Sequence, residues 1–100
     1  LRRRKSQREQ LMKTIKVTVL NKLGLHARPA TKLTQKANEF LSSLKITNGR
    51  REVNGKSIMG VMLMAASKGT ELTLIGDGTD EEEMLSELKQ MFEDKFGEAQ

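Results

Sequence analysis

An α+β fold, an open-faced two-layer β-sandwich with one sheet face left to water, is predicted by three features of the sequence. Four short segments alternate apolar and polar residues with a period of two, and three others repeat apolar residues at helical spacing. The two kinds interleave as β-α-β-β-α-β-α, and elements with a single apolar face can bury it only against one another. A chain of 100 residues, 36% of them hydrophobic and 31% charged, suits one domain and leaves no room for a second core.

Residues 1–11 are polar, basic and without a hydrophobic period, and they lack the apolar stretch of a secretory signal. They are read as a disordered basic N-terminal arm, with the domain over 12–100. The first residue is Leu1, while Met12 directly precedes the first strand pattern, so an upstream start, a processed end and an artificial remnant are all open. From Thr14 the pattern alternates, with Ile15, Val17 and Val19 on one side and Lys16 and Thr18 on the other. Asn21 to Gly24 breaks it. A helix starts just beyond His26, with Pro29 suited to its first turn and Ala30, Leu33, Ala37 and Phe40/Leu41 on its buried face. Leu44 and Ile46 mark the second strand, Asn48-Gly49 a hairpin turn, Arg51-Glu52-Val53 a short return strand, and Asn54-Gly55 its end. Ser57 can cap a short helix over Ile58 to Ala66, although Gly60 inside it costs about 1 kcal/mol relative to alanine. Leu72 and Leu74 alternate with Glu71 and Thr73 in the last strand, closed by Gly76-Asp77-Gly78. The final helix should open with Asp80 and Glu83 as a capping box and bury Met84, Leu85, Leu88, Met91, Phe92 and Phe96, with Gly97 as its C-terminal cap.

Composition narrows the function. With no cysteine there is no disulfide framework, thiolate metal site or redox couple, which points to a reducing, cytoplasmic setting. The longest mostly apolar run, Ile58 to Ala66, falls far short of the ~20 residues that span a bilayer, so no membrane insertion is expected. The net charge of +5 suggests a nucleic-acid or membrane-surface partner until it is located. Residues 1–11 carry +4 of it, and the remainder holds 13 basic against 12 acidic residues. Only Phe40, Phe92 and Phe96 are aromatic, too few for the stacking rings of a single-strand or RNA-binding sheet, and no nucleic-acid partner is expected.

The single histidine lies in Gly24-Leu25-His26-Ala27-Arg28-Pro29-Ala30, where a strand gives way to a helix. First-turn N–H groups have no intrahelical partner and the macrodipole is positive there, so the junction is an anion site beside an imidazole. Arg28 adds a permanent positive charge and a forked donor suited to phosphate oxygens. The same field disfavours imidazolium, so the ring is expected to be neutral and nucleophilic at physiological pH. A neutral imidazole nitrogen can take a phosphoryl group in line and later release it, while the protein supplies position and charge neutralisation. There is no second histidine, no carboxylate partner within the motif and no metal-ligand spacing such as H-x-x-x-H; metal catalysis and hydrolysis have little support, and no metal or cofactor is expected. The plain alternative is a helix-flanking histidine without a chemical task.

That heptapeptide, with Lys56-Ser57-Ile58-Met59-Gly60-Val61-Met62 at the right distance, closely resembles the HPr family, the histidine-containing phosphocarriers of the bacterial phosphoenolpyruvate-dependent sugar phosphotransferase system. The likeness runs from about Met12 to about Gly97 and includes the element order and the Asp77-Gly78 turn. It implies a four-stranded antiparallel sheet in the order 1-4-2-3 with all three helices on one face. It also implies that Nδ1 of His26 accepts phosphate from phospho-enzyme I and passes it to a histidine of an enzyme II A component, with Arg28 steadying the phosphate. Such a protein is a phosphoryl-transfer carrier rather than a self-sufficient enzyme.

Two further roles follow from the resemblance. Ser57 stands where an ATP-dependent HPr kinase/phosphorylase modifies some members, although a serine opening a helix is a good N-cap with or without a kinase. A phosphate there would meet the helix dipole favourably and act on docking. Gly55 occupies a position where many kinase-regulated relatives carry leucine. Gly55-Lys56-Ser57 also matches the end of a nucleotide-binding P-loop, but that motif requires glycine where Arg50 stands. Ile58, Met59 and Met62 should flank His26 as an exposed apolar docking patch, with Ala27, Thr31 and Gln35 beside them. Methionine suits a surface that must fit several partners, and some of these methionines can instead belong to the core, Met64 foremost. A carrier must dissociate quickly, so small transient contacts and a monomer are expected. A different class of function, a regulatory module controlled at Ser57 without carrier activity, is disfavoured because family members devoted to it lack the histidine. A nucleic-acid binder would rest only on Arg2, Arg3, Arg4, Lys5 and Arg8.

Overall fold

Apolar periodicity sets the elements of this chain, and turn residues and side-chain caps set their ends. A computed structural model describes residues 12–98; the basic arm expected over residues 1–11 lies outside the described residues. The elements are β1 (Met12–Thr18), α1 (Ala27–Ala37), β2 (Ser43–Thr47), β3 (Glu52–Asn54), α2 (Ile58–Met64), β4 (Glu71–Asp77) and α3 (Glu81–Glu93), followed by a 3-10 turn at Lys95–Gly97. Their order is the predicted one. The four strands form one antiparallel sheet in the order β1-β4-β2-β3.

Register makes the sheet one-sided. Val17 pairs with Leu72, Ile15 and Ile46 flank Leu74, and Val53 pairs with Ile46, so these side chains share the covered face. Lys16, Thr18, Lys45, Thr47 and Glu71 alternate with them onto the open face, where Lys45 pairs with Glu52 at 3.6 Å. The helices cover the apolar face: Ala30, Leu33 and Ala37 of α1, Val61 and Met64 of α2, and Met84, Leu85, Leu88 and Phe92 of α3 are buried with Leu44, Ile46, Leu72 and Leu74. Among the described residues no helix is long and apolar enough to cross a membrane.

Several element ends differ from expectation, each for a local reason. Strand β1 already starts at Met12, and β3 is shifted by one residue to end at Asn54. Helix α1 stops at Ala37. The Asn38 backbone N–H and side-chain amide both donate to the Thr34 carbonyl, the next N–H groups tighten to i−3 acceptors, and Leu41 swings out to 88% exposure while Phe40 stays buried. Helix α2 ends at Met64 rather than Ala66, because Ala65 takes a left-handed conformation (φ 51°) and the Ala66 carbonyl accepts from Leu25 N–H. The expected capping box does not form. Asp80 instead accepts from Leu41 N–H and Ser42 N–H, each at 2.9 Å, and from the Ser42 hydroxyl. These bonds, the Ser42 hydroxyl foremost, hold its carboxyl below the usual aspartate value. Buried Glu81, not exposed Glu83, reaches back, accepting from Gly78 N–H at 2.9 Å. Finally, Gly97 does not cap α3 directly: Lys95, Phe96 and Gly97 form a left-handed run (φ 55°, 54° and 80°), so Phe96 reaches the core from the turn beyond the helix.

Candidate functional site

The path into α1 is built to present His26 at the surface. Val19 exchanges backbone hydrogen bonds with Thr70 and Gly69, and the chain then turns through Asn21, whose carbonyl accepts from Gly24 N–H at 3.0 Å. Gly24 sits at φ +74°, and a Cβ there would run into the Ala66 carbonyl oxygen, so the approach needs glycine. Buried Leu25 anchors the next step, its N–H bonded to Ala66 at 2.9 Å. His26 follows as the N-cap of α1 in an extended conformation, and its carbonyl accepts the first intrahelical bond, from Ala30 N–H at 3.0 Å. The N–H groups of Ala27 and Arg28 therefore have no intrahelical acceptor, and Pro29 has no N–H to leave unpaired.

The imidazole is 37% exposed and makes no side-chain cap to its own helix. Its Nε2 lies 3.0 Å from Oε2 of Glu98, a residue 72 positions away. An ionised carboxylate only accepts, so in the neutral ring Nε2 carries the proton and Nδ1 keeps its lone pair. The other oxygen of Glu98 accepts from the Asn21 side-chain nitrogen at 3.0 Å, and the same nitrogen donates to the Gly24 carbonyl at 2.6 Å. A shallow depression of about 620 Å³ opens beside the ring, lined by His26, Ala27, Arg28, Thr31, Lys32 and Gln35. Arg28 is exposed, and its guanidinium bonds to no described residue. Lys32 is spent on the Phe96 carbonyl at 2.7 Å, and the Thr31 hydroxyl on the Ala27 carbonyl at 2.8 Å.

Helix α2 packs beside α1. Ser57 is its N-cap, with Oγ accepting from Gly60 N–H at 3.0 Å. Ile58, Met59 and Met62 are exposed, Met59 to 70%, while Met64 is buried. Gly55 is buried against Leu44, whose side chain a Cβ there would strike, which is a spatial reason for glycine at that position. Sequence reasoning singled out His26, Arg28 and Ser57 as candidates because each belongs to a local motif. It did not single out Asn21, Lys32 and Glu98, nor the exposed Leu23 and Leu63. A polar residue at the break after β1 was a faint sign for Asn21; no spacing rule leads from His26 to Glu98.

An open-faced four-stranded sandwich whose first helix is opened by a histidine, beside an exposed guanidinium and amides without intrahelical acceptors, has the features expected of a small domain of the phosphocarrier class. The family profile described as "PTS HPr component phosphorylation site" matches residues 13–94. Phosphocarrier protein HPr of Cupriavidus necator is 48% identical over 83 residues, covering 83% of this chain and 93% of that protein. The HPr-like protein Crh of Bacillus subtilis is 51% identical over 73 residues, covering 73% of this chain and 86% of that protein. A crystal structure of HPr-C-His from Thermoanaerobacter tengcongensis superposes with a TM-score of 0.84 at 41% identity, covering 88% of this chain and 99% of that one. The chain belongs to the HPr family of phosphocarrier proteins of the phosphotransferase system.

Proposed function

We propose that this protein carries a phosphoryl group on His26, taking it from phospho-enzyme I and giving it to an enzyme II A component in the cytoplasm. The observation that carries this reading is the His26 ring: its Nε2 is held by a carboxylate, so its Nδ1 lone pair is the one available beside the open start of α1. In the forward step that lone pair attacks phosphorus in line. The P–N bond forms, the bond from phosphorus to the donor atom breaks, and its electron pair leaves with the donor. No proton has to leave Nδ1. Arg28 and the N–H groups of Ala27 and Arg28 supply positive charge and donors for the three phosphoryl oxygens. Donation to the next histidine is the same step in reverse.

Ala27, Thr31, Gln35, Ile58, Met59 and Met62 serve as the docking surface, through small transient contacts made by a monomer. Ser57 is the regulatory position for an HPr kinase/phosphorylase. A phosphate on its Oγ would stay at the start of α2 and add negative charge to that docking surface.

Incubation with enzyme I and phosphoenolpyruvate should leave an acid-labile, base-stable phosphate on the parent protein and none on His26→Ala; equal labelling of the variant overturns the carrier reading. Incubation with ATP and HPr kinase/phosphorylase should label the parent, and labelling that survives Ser57→Ala removes the regulatory assignment.

A further inference from the structure

The carboxylate that meets His26 comes from the far end of the chain, yet it is held at two removes. Phe96 is buried and packs edge-to-face on Phe92 at 4.8 Å, Lys32 from α1 bonds the Phe96 carbonyl, and the left-handed turn through Gly97 then brings Glu98 back over the opening of α1. The Glu98 side chain is only 18% exposed. On the opposite side stands Asn21, fully buried at 0% exposure, with both amide protons committed: one to the Gly24 carbonyl and one to Glu98 Oε1. Its Oδ1 is buried and has no hydrogen-bond partner among the described residues. Leaving an amide oxygen dry costs stability. Turning the amide over would set that oxygen against the Gly24 carbonyl and the Glu98 carboxylate, so the orientation follows from what the nitrogen does.

We propose that Asn21 and Glu98 form a clamp that sets the tautomer of His26, with both acting as positioning residues for the transfer; the link to transfer rests on the carrier reading above, whereas the tautomer itself does not. Asn21 fixes the carboxylate, the carboxylate takes Nε2–H, and Nδ1 is left as the acceptor for phosphorus. Once the P–N bond forms, the proton stays on Nε2, and the carboxylate faces the positive charge that the ring acquires.

The test uses the full chain at alkaline pH, where the ring is neutral, and reads the His26 tautomer from long-range proton–nitrogen NMR spectra. Phosphorylation rates with enzyme I are measured alongside. The parent should show the proton on Nε2. Glu98→Ala, a change at the rim of the molecule, should lower the ratio of the Nε2–H to the Nδ1–H form by about threefold or more, the size of one lost hydrogen bond. It should lower kcat with KM unchanged. Glu98→Gln, whose single oxygen is claimed by the Asn21 amide so that its own NH2 faces Nε2, should favour the Nδ1–H form, and Asn21→Asp, which sets a second carboxylate against Glu98, should reproduce the Glu98→Ala spectrum. A parent ring protonated on Nδ1, or a ratio unmoved by Glu98→Ala, overturns the clamp; a ratio unmoved by Asn21→Asp in a folded variant overturns the part given to Asn21. Should the parent take no phosphate at all, the carrier reading falls while the spectra still decide the clamp.

Discussion

At the level of single side chains, two cations flank the depression beside His26, and they differ in what they are free to do. Lys32 is engaged by the Phe96 carbonyl, whereas Arg28 bonds to no described residue and can meet phosphoryl oxygens with two parallel N–H groups. Removing Arg28 should therefore affect transfer far more than folding. Arg28→Ala is expected to lower kcat/KM for phosphorylation by about ten- to a hundredfold, the loss of one charge-assisted hydrogen-bonded contact. Arg28→Lys should fall between the two, and thermal melting should stay near the parent's. Equal rates for all three proteins would show that the guanidinium has no part in the transfer. His26 and Arg28 were readable in the sequence because a helix start is a local event: Pro29 marks the first turn, and the unpaired amides follow from the hydrogen-bond pattern of any helix.

The elements show how much the helices depend on their ends. With seven residues and Gly60 in its interior, α2 is too short to be stable alone; the Ser57 hydroxyl caps its start on Gly60 N–H, and the Arg51 guanidinium donates to the Leu63 carbonyl in its last turn at 3.0 Å. Ser57→Ala is expected to cost about 1 kcal/mol in chemical denaturation, and Ser57→Asp, which can still accept that bond, should cost clearly less. The start of α3 is secured differently, by the bonds of Asp80 to Leu41 and Ser42. Because the folded-state carboxyl titrates below its ordinary value, this contribution is fully present above about pH 4 and fades as the pH falls through that value and below. Melting temperatures followed from neutral pH into acid should bring the parent and Asp80→Asn together as the pH falls below the ordinary aspartate value. A constant gap across that range would show that the charge on Asp80 is not what matters. The capping box expected at this helix failed for a plain reason: Asp80 has better donors in the loop before β2, and the sequence pattern does not show that loop beside it.

The molecule as a whole is a single core held between one sheet face and three helices. Phe92 is fully enclosed in it, and its ring also supports Phe96, the residue from which the chain turns back toward His26. Phe92→Ala is expected to destabilise the fold by about 3–5 kcal/mol, measured as a shift in denaturant midpoint. A shift well under 1 kcal/mol would mean that the α3 stripe is not the main seam of the core. The same seam carries the contacts that join distant parts of the chain: Lys36 of α1 lies 3.3 Å from Glu87 of α3, Lys32 holds the Phe96 carbonyl, and Glu98 reaches His26.

What periodicity and turn chemistry encode was open to reading from the chain alone: the element order, the one-sided sheet, and the histidine and arginine at the start of α1. Each depends on residues within a few positions of one another. The pairing of His26 with Glu98, the spending of Lys32 on a carbonyl, the diversion of Asp80 to Ser42 and the burial of Asn21 were not open to it. A hydrogen bond is made or lost over a few tenths of an ångström, and that placement comes from how α1, α3 and the last turn pack, which no spacing along the backbone records.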